Sequence, residues 1–194
     1  MKYISRTLIV GLLVITACST TSQPSGIPTP QPTATEVKVF PTASSTNDSI
    51  MWEDLQVTMD RLEVTDEYVT EFGSTRIPPA GNKFLWVHVR LKNTGQTEMD
   101  VPISEHFSIL YAAIELKPSY GYHAEYRDYT SLVPVIFPDQ ELDGWLRFDI
   151  PIAAELRELR FVFIPESNQV GASYNSPNYP YAENRQTYVW SCAP

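Results

Sequence analysis

With 194 residues, a formal charge of −9, 19% charged residues and only two cysteines, the chain has room for one domain with a real core but not for a network of disulfides. The acidic balance, with no local cluster of Lys and Arg, disfavours both a nucleic-acid partner and electrostatic adhesion to an anionic lipid surface. No motif implies a cofactor: there is no Gly-x-Ser-x-Gly elbow and no phosphate-cradling glycine loop, and glycine is scarce at 8 residues.

The chain opens on a basic start (Lys2, Arg6) and an apolar run over residues 7–17, followed at once by Cys18 and a Ser, Thr and Pro tract. That run is about half of the roughly 20 residues needed to cross a bilayer, so it does not read as a membrane span. Charge, short apolar middle and small residues before a cut site are the layout of a secretory signal peptide over residues 1–17. Ile15-Thr16-Ala17-Cys18 resembles the lipobox of bacterial lipoproteins, which implies cleavage before Cys18 and lipidation of that cysteine. One acyl chain holds a protein only marginally, and a lipoprotein cysteine carries more than one, so the resemblance implies a membrane partner reached through a stable lipid anchor, on the far side of the cytoplasmic membrane. Loss of Lys2 and Arg6 with the leader takes the formal charge from −9 to −11.

Residues 18–49 are dominated by Ser, Thr and Pro and carry too few apolar groups to bury, which predicts a disordered stalk. Pro28, Pro30 and Pro32 favour an extended, semi-stiff chain, with a proline-rich docking motif as the competing reading.

From residue 50 the apolar period is two. In residues 84–92 Leu85, Val87, Val89 and Leu91 share one face, which is purely aliphatic and therefore core, while Phe84, Trp86, His88 and Arg90 take the other. Asn93-Thr94-Gly95 closes this strand with turn chemistry. Residues 144–150 place Leu146, Phe148 and Ile150 inward and Trp145, Arg147 and Asp149 outward, between a Pro138-Asp139-Gln140 turn and Pro151. Further strands are expected over residues 55–59, 62–64, 101–103, 107–111, 132–137, 159–164 and 187–190, and one short helical turn over residues 153–158. Short strands with turns between them predict an all-β antiparallel β-sandwich over residues 50–165, followed by a Tyr, Asn and Pro-rich tail, 166–194, that holds the last strand.

Trp52-x-x-Leu55-x-Val57, the run from Gly81 to Val87 leading to Leu91-Lys92-Asn93-Thr94-Gly95, Phe107-Ser108-Ile109-Leu110, and Pro138-Asp139-Gln140 before Gly144-Trp145-Leu146 resemble the telokin-like, immunoglobulin-type extracellular domains of bacterial lipoproteins. That family includes secreted mycobacterial immunogenic antigens and many domains of unknown function. Its usual Pro-Gly-Glu turn is Pro138-Asp139-Gln140 here. The resemblance implies that the sandwich is immunoglobulin-like and has an extracellular setting, and it carries over no catalytic residues.

His88, His106 and His123 fall on different elements with no ligand spacing, so no zinc site is expected. Asp139-x-Glu141-x-Asp143-Gly144 imitates the first half of a calcium loop, but its twelfth position is Ile150 rather than a bidentate Glu, and a polar hairpin entering a strand explains it as well. Cys192, left without a partner if Cys18 is acylated, reads as a thiol tucked against the last strand or as an intermolecular link.

The functional hint is aromatic. Tyr120, Tyr122, Tyr126 and Tyr129 crowd one inter-strand loop, and Tyr174, Tyr179 and Tyr181 recur near the C-terminus. Tyrosine offers contact area at low ordering cost, which suits a binding loop, though the same rings can pack over the end of a sandwich. Trp86 and Trp145, on the outward faces of their strands, would form a sugar- or peptide-binding platform unless another segment covers them. These features favour a non-catalytic module that meets a protein or glycan outside the cell. A small envelope hydrolase, for which no nucleophile constellation is visible, and a purely structural envelope protein are the alternatives.

Overall fold

The computed structural model describes residues 43–165 and 186–193. Two four-stranded antiparallel sheets face each other, as the period-two pattern predicts. The first is built from β1 (Ser49–Trp52), β2 (Leu55–Thr65), β5 (Asn82–Asn93) and β10 (Glu141–Pro151), in that order across the sheet. The second runs β12 (Tyr188–Ser191), β11 (Arg160–Phe163), β7 (Phe107–Tyr111) and β8 (Ile114–Leu116). Two small pairings flank them: β3 (Tyr68–Val69) with β4 (Thr75–Arg76), and β6 (Met99–Asp100) with β9 (Val135–Ile136).

The main core lies between the large sheets. Leu85, Val87, Val89 and Leu91 of β5 meet Phe107 and Ile109 of β7 and Phe161 and Phe163 of β11, all fully buried. This is the aliphatic face that alternation assigned to the core.

Residues 55–59 and 62–64, which read as two strands, are one strand with a bulge. The ladder with β5 pairs Met59 with Val89 and then Arg61 with His88, so Asp60 is the extra residue. One inserted residue explains why the inward parity moves from Leu55, Val57 and Met59 to Leu62, which packs against the core, and to Val64, which shares that face but is exposed.

The turn at Pro138-Asp139-Gln140 forms where expected. Asp139 has φ of 58°, in the left-handed region that glycine prefers and aspartate tolerates. Its N–H donates to Asn93 O at 3.0 Å, which pairs the turn to the end of β5.

Four boundaries differ from expectation. Residues 44–49, assigned to the stalk, join the fold: Ser44 bridges Trp190 in parallel, and the Trp190 Nε1–H donates to Asp48 O at 2.9 Å. The strand expected over residues 101–103 does not form, the pairing falling just before it at β6, and the one expected over 132–137 shrinks to the two-residue β9, because Pro102 and Pro134 cannot donate to a ladder. Of the helical turn expected over residues 153–158 only a 3-10 turn, Leu156–Glu158, forms, with the Glu158 carboxylate accepting from Glu155 N at 3.0 Å. The late strand expected at 187–190 is β12. Cys192 sits fully buried just beyond it, and burial pushes its thiol up to about 12, which suits the tucked reading.

Candidate functional site

The outer face of the first sheet is where the structure departs from the sequence reading. Phe84, Trp86 and His88 point away from the main core as alternation requires, yet they are buried. A second layer covers them. The β3–β4 hairpin lies on one side, and residues 117–129 fold back along the free edge of β10, where Ser119 N donates to Arg147 O at 2.7 Å and Trp145 N donates to Arg127 O at 2.8 Å. The two covering pieces are tied together by Ala124 N donating to Val69 O at 2.9 Å.

Side chains complete the layer. Tyr126 lies in a stack between His123, 3.9 Å between centroids, and Trp145, 4.3 Å. Trp86 meets Tyr68, His123 and Tyr126 edge-on at 5.1, 5.2 and 5.3 Å. The Tyr126 hydroxyl donates to the Glu63 carboxylate, and burial together with that bond raises its pKa. The platform expected of Trp86 and Trp145 is therefore closed: they are 1% and 8% exposed, and loop residues such as His123 and Tyr126 cover them.

Beside the aromatics the bulge places Asp60 under His88. The imidazole has Asp60 Oδ1 at 2.5 Å from Nδ1 and Asp143 Oδ2 at 3.0 Å from Nε2, while Asp60 Oδ2 pairs with Arg90 Nε at 2.9 Å. Arg61 lies over the Trp145 ring at 5.1 Å and roofs the group. Glu141 and Asp143, read as half of a calcium loop, turn instead toward Arg90 and His88. With His88 buried and both ring nitrogens occupied, this cluster ties β2, β5 and β10 together and presents no imidazole to a substrate.

His123 adds a dependence on pH. Its Nδ1 accepts from Glu125 N at 3.0 Å, and burial lowers its pKa below the ordinary 6.5, against the opposing pull of Glu125 and Glu63. A histidine whose folded pKa is lowered stabilises the fold fully above 6.5, and that contribution is lost as pH falls through the lower folded value. Urea unfolding at pH 7.5 and 5 is therefore expected to show a larger acid loss for the natural chain than for His123→Phe, which keeps the ring stack. Equal losses would remove His123 from the linkage.

The tyrosines of the loop divide. Tyr129 is a core residue, its hydroxyl donating to Pro102 O at 2.8 Å and its ring 5.3 Å from Phe107. That corrects its reading as a binding residue, since a 3-10 turn, Tyr129–Ser131, drops it between the sheets. Tyr126 belongs to the covering layer. Tyr120 and Tyr122 remain exposed and line a cleft of 390 Å³ between the loop and the β3–β4 hairpin.

Phe72 and Ile77 form the opposite wall, 82% and 75% exposed, and Arg147 and Asp149 lie at the cleft as well. Sequence reasoning missed this wall because residues 68–79 carry no run long enough to show a period. The available signal was Phe72 beside Gly73 and Ile77 four residues on, with polar residues between them. Tyr120, 71% exposed, also borders a second depression of 280 Å³ with Ile103 and Val133, so it stands as a ridge between two hollows. Cys18, Tyr174, Tyr179 and Tyr181 lie outside the described residues, among which no helix is long and apolar enough to cross a membrane.

Residues 44–169 match the domain of unknown function DUF4352, and the chain belongs to that family. No protein of curated function matches the sequence significantly. Among solved structures, the yjhA protein of Bacillus subtilis is similar at a TM-score of 0.51 and 13% identity, over 76% of this chain and 97% of that one. The ycdA protein of Bacillus subtilis, described as a lipoprotein candidate, aligns at 0.47 and 17% identity over 76% of this chain, which spans only 39% of that protein. The secreted protein MPT63 of Mycobacterium tuberculosis aligns at 0.48 and 8% identity, over 79% of this chain and 99% of that one. At these identities the likeness is one of fold.

Proposed function

We propose that this chain is a non-catalytic binding module, tethered outside the cytoplasm by lipid on Cys18, that meets an envelope glycan or protein through the cleft bounded by Tyr120 and Tyr122. The observation that carries the reading is the contrast within one loop. Tyr126 and Tyr129 are locked into packing, whereas Tyr120 and Tyr122 stand exposed over a formed hollow opposite Phe72 and Ile77. A rigid base under exposed aromatic rings keeps the ordering cost of binding small. The enclosure of His88 by Asp60, Asp143, Trp145 and Arg61 supports the non-catalytic side of the reading. The lipobox-like Ile15-Thr16-Ala17-Cys18 supports the tether.

The test is affinity capture from cell-envelope protein and glycan extracts with the natural chain and a Tyr120→Ala/Tyr122→Ala variant. Both side chains are exposed, so the variant is expected to keep its unfolding midpoint and lose its partner. Equal capture by the two would reject the cleft as the site, and an intact mass equal to that of the unmodified chain would reject the tether.

A further inference from the structure

Resting on the binding-module reading, we infer that the cleft between Tyr120, Tyr122 and the β3–β4 hairpin takes an acidic saccharide, with Arg147 as its carboxylate-binding group. The charged residues lining the cleft are Arg76, Arg147 and Asp149, two cations to one anion in a chain whose formal charge is −9. A locally cationic hollow on an acidic protein selects an anionic group, because the remaining surface repels one.

Arg147 is fixed in place for such a role. Its Nη1–H donates to Tyr68 Oη at 2.7 Å, and the guanidinium lies over the rings of Phe84 and Tyr68 at 5.0 and 5.6 Å. Gly121 lets the loop close down on it, since a Cβ there would fall 2.4 Å from Nη1. Asp149 meets this charge only as a loose ion pair. Asp149 Oδ1 lies 3.9 Å from Nε, beyond hydrogen-bond distance, and Asp149 Oδ2 accepts the Ser119 hydroxyl at 2.9 Å instead. Arg147 Nε and Asp149 Oδ1 are both buried without a hydrogen bond, so the carboxylate beside the guanidinium does not close on it. Guanidinium groups with so little of their donor capacity spent are rare inside proteins, and a planar carboxylate is the partner their fork fits.

The walls select a sugar over a peptide. An extended peptide would add to a strand edge, but beside the cleft Ser119 and Arg127 occupy the edge of β10 and Ala124 that of β3, which leaves only the two-residue β4, too short to hold one. What stays open is a set of ring faces, from Tyr120, Tyr122 and Phe72, beside the polar groups of Thr70 and Ser74. A pyranose offers the complement, an apolar C–H face and a hydroxyl edge.

Calorimetric titration of the full chain with oligogalacturonate, its neutral methyl ester and a hexaglutamate peptide tests the inference. Oligogalacturonate is expected to bind, with at least about tenfold weaker binding of the ester and a similar loss for Arg147→Gln. Arg76→Gln, at an exposed rim position, is the second variant, expected to weaken the acid but not the ester even if Arg147→Gln disturbs folding. Equal affinity for acid and ester, preference for the peptide, or no binding of oligogalacturonate would each overturn the inference. Capture through Tyr120 and Tyr122 in the preceding experiment would still stand in those cases, so the two readings fail separately.

Discussion

Trp86→Ala is expected to destabilise the protein by about 3–5 kcal/mol, a large share of the roughly 5–15 kcal/mol that holds an ordinary domain folded. The indole is 1% exposed although it faces away from the main core, and it is the hub on which Tyr68, His123 and Tyr126 meet. Its Nε1–H also donates to Thr65 Oγ1 at 3.3 Å, so truncation leaves a cavity and strips a hydroxyl of its partner. Tyr120→Ala, by contrast, removes an aromatic ring from an exposed site and is expected to change stability by no more than about 0.5 kcal/mol. Urea unfolding of both variants, read as midpoints at a common slope, measures the difference. A Trp86→Ala cost below about 1 kcal/mol would mean that the covering layer is not part of the cooperative fold. It would also remove the rigid base on which the cleft depends.

Much of the sandwich was legible because β5 and β10 each bury one continuous apolar face, and alternation reports such faces directly. The long pairing of these strands, Glu141 with Lys92 through Pro151 with Asn82, leaves no freedom of register. The bulge in β2 was written in the sequence as a change of parity between Met59 and Leu62, which pattern matching broke into two strands.

The second layer was not legible. Outward-facing Trp86 and Trp145 marked that something apolar lay on that face, but whether it was a partner or the chain itself depends on contacts such as Tyr126 to Glu63, 63 residues apart. No local rule encodes them. β3, β4, β6 and β9 span two residues each and exist because the large sheets hold their flanks, so propensity had little to report. The cleft gathers residues from 68–79, 120–122 and 147–149, and only its tyrosines stood out in isolation.

Gly144→Ala is the second substitution expected to cost heavily, and its sign opposes intuition. In the interior of a strand, alanine is ordinarily favoured over glycine by about 0.5–1 kcal/mol, because glycine loses more freedom on folding. At β10, however, a Cβ on Gly144 would lie 2.7 Å from Tyr129 Cα and 3.1 Å from Tyr129 N. These are backbone atoms, and the turn that carries them is held at several points. Tyr129 Oη donates to Pro102 O, Asp128 Oδ1 accepts from Thr130 N at 2.7 Å, and Trp145 N donates to Arg127 O at 2.8 Å. Relief of the clash must therefore lift the whole 3-10 turn out of the end of the core. The expected cost is about 3 kcal/mol, at the upper end of ordinary overpacking. Tyr129→Phe keeps the ring, loses one buried hydrogen bond and leaves Pro102 O unpaired, so it is expected to cost about 1–2 kcal/mol and provides the comparison. If Gly144→Ala proves neutral or stabilising in urea unfolding, the turn is free to move and Tyr129 is not the plug that closes the sandwich. A large cost would show that the loop bearing Tyr120 and Tyr122 is clamped at its C-terminal end by backbone packed on backbone, as a preformed binding cleft requires.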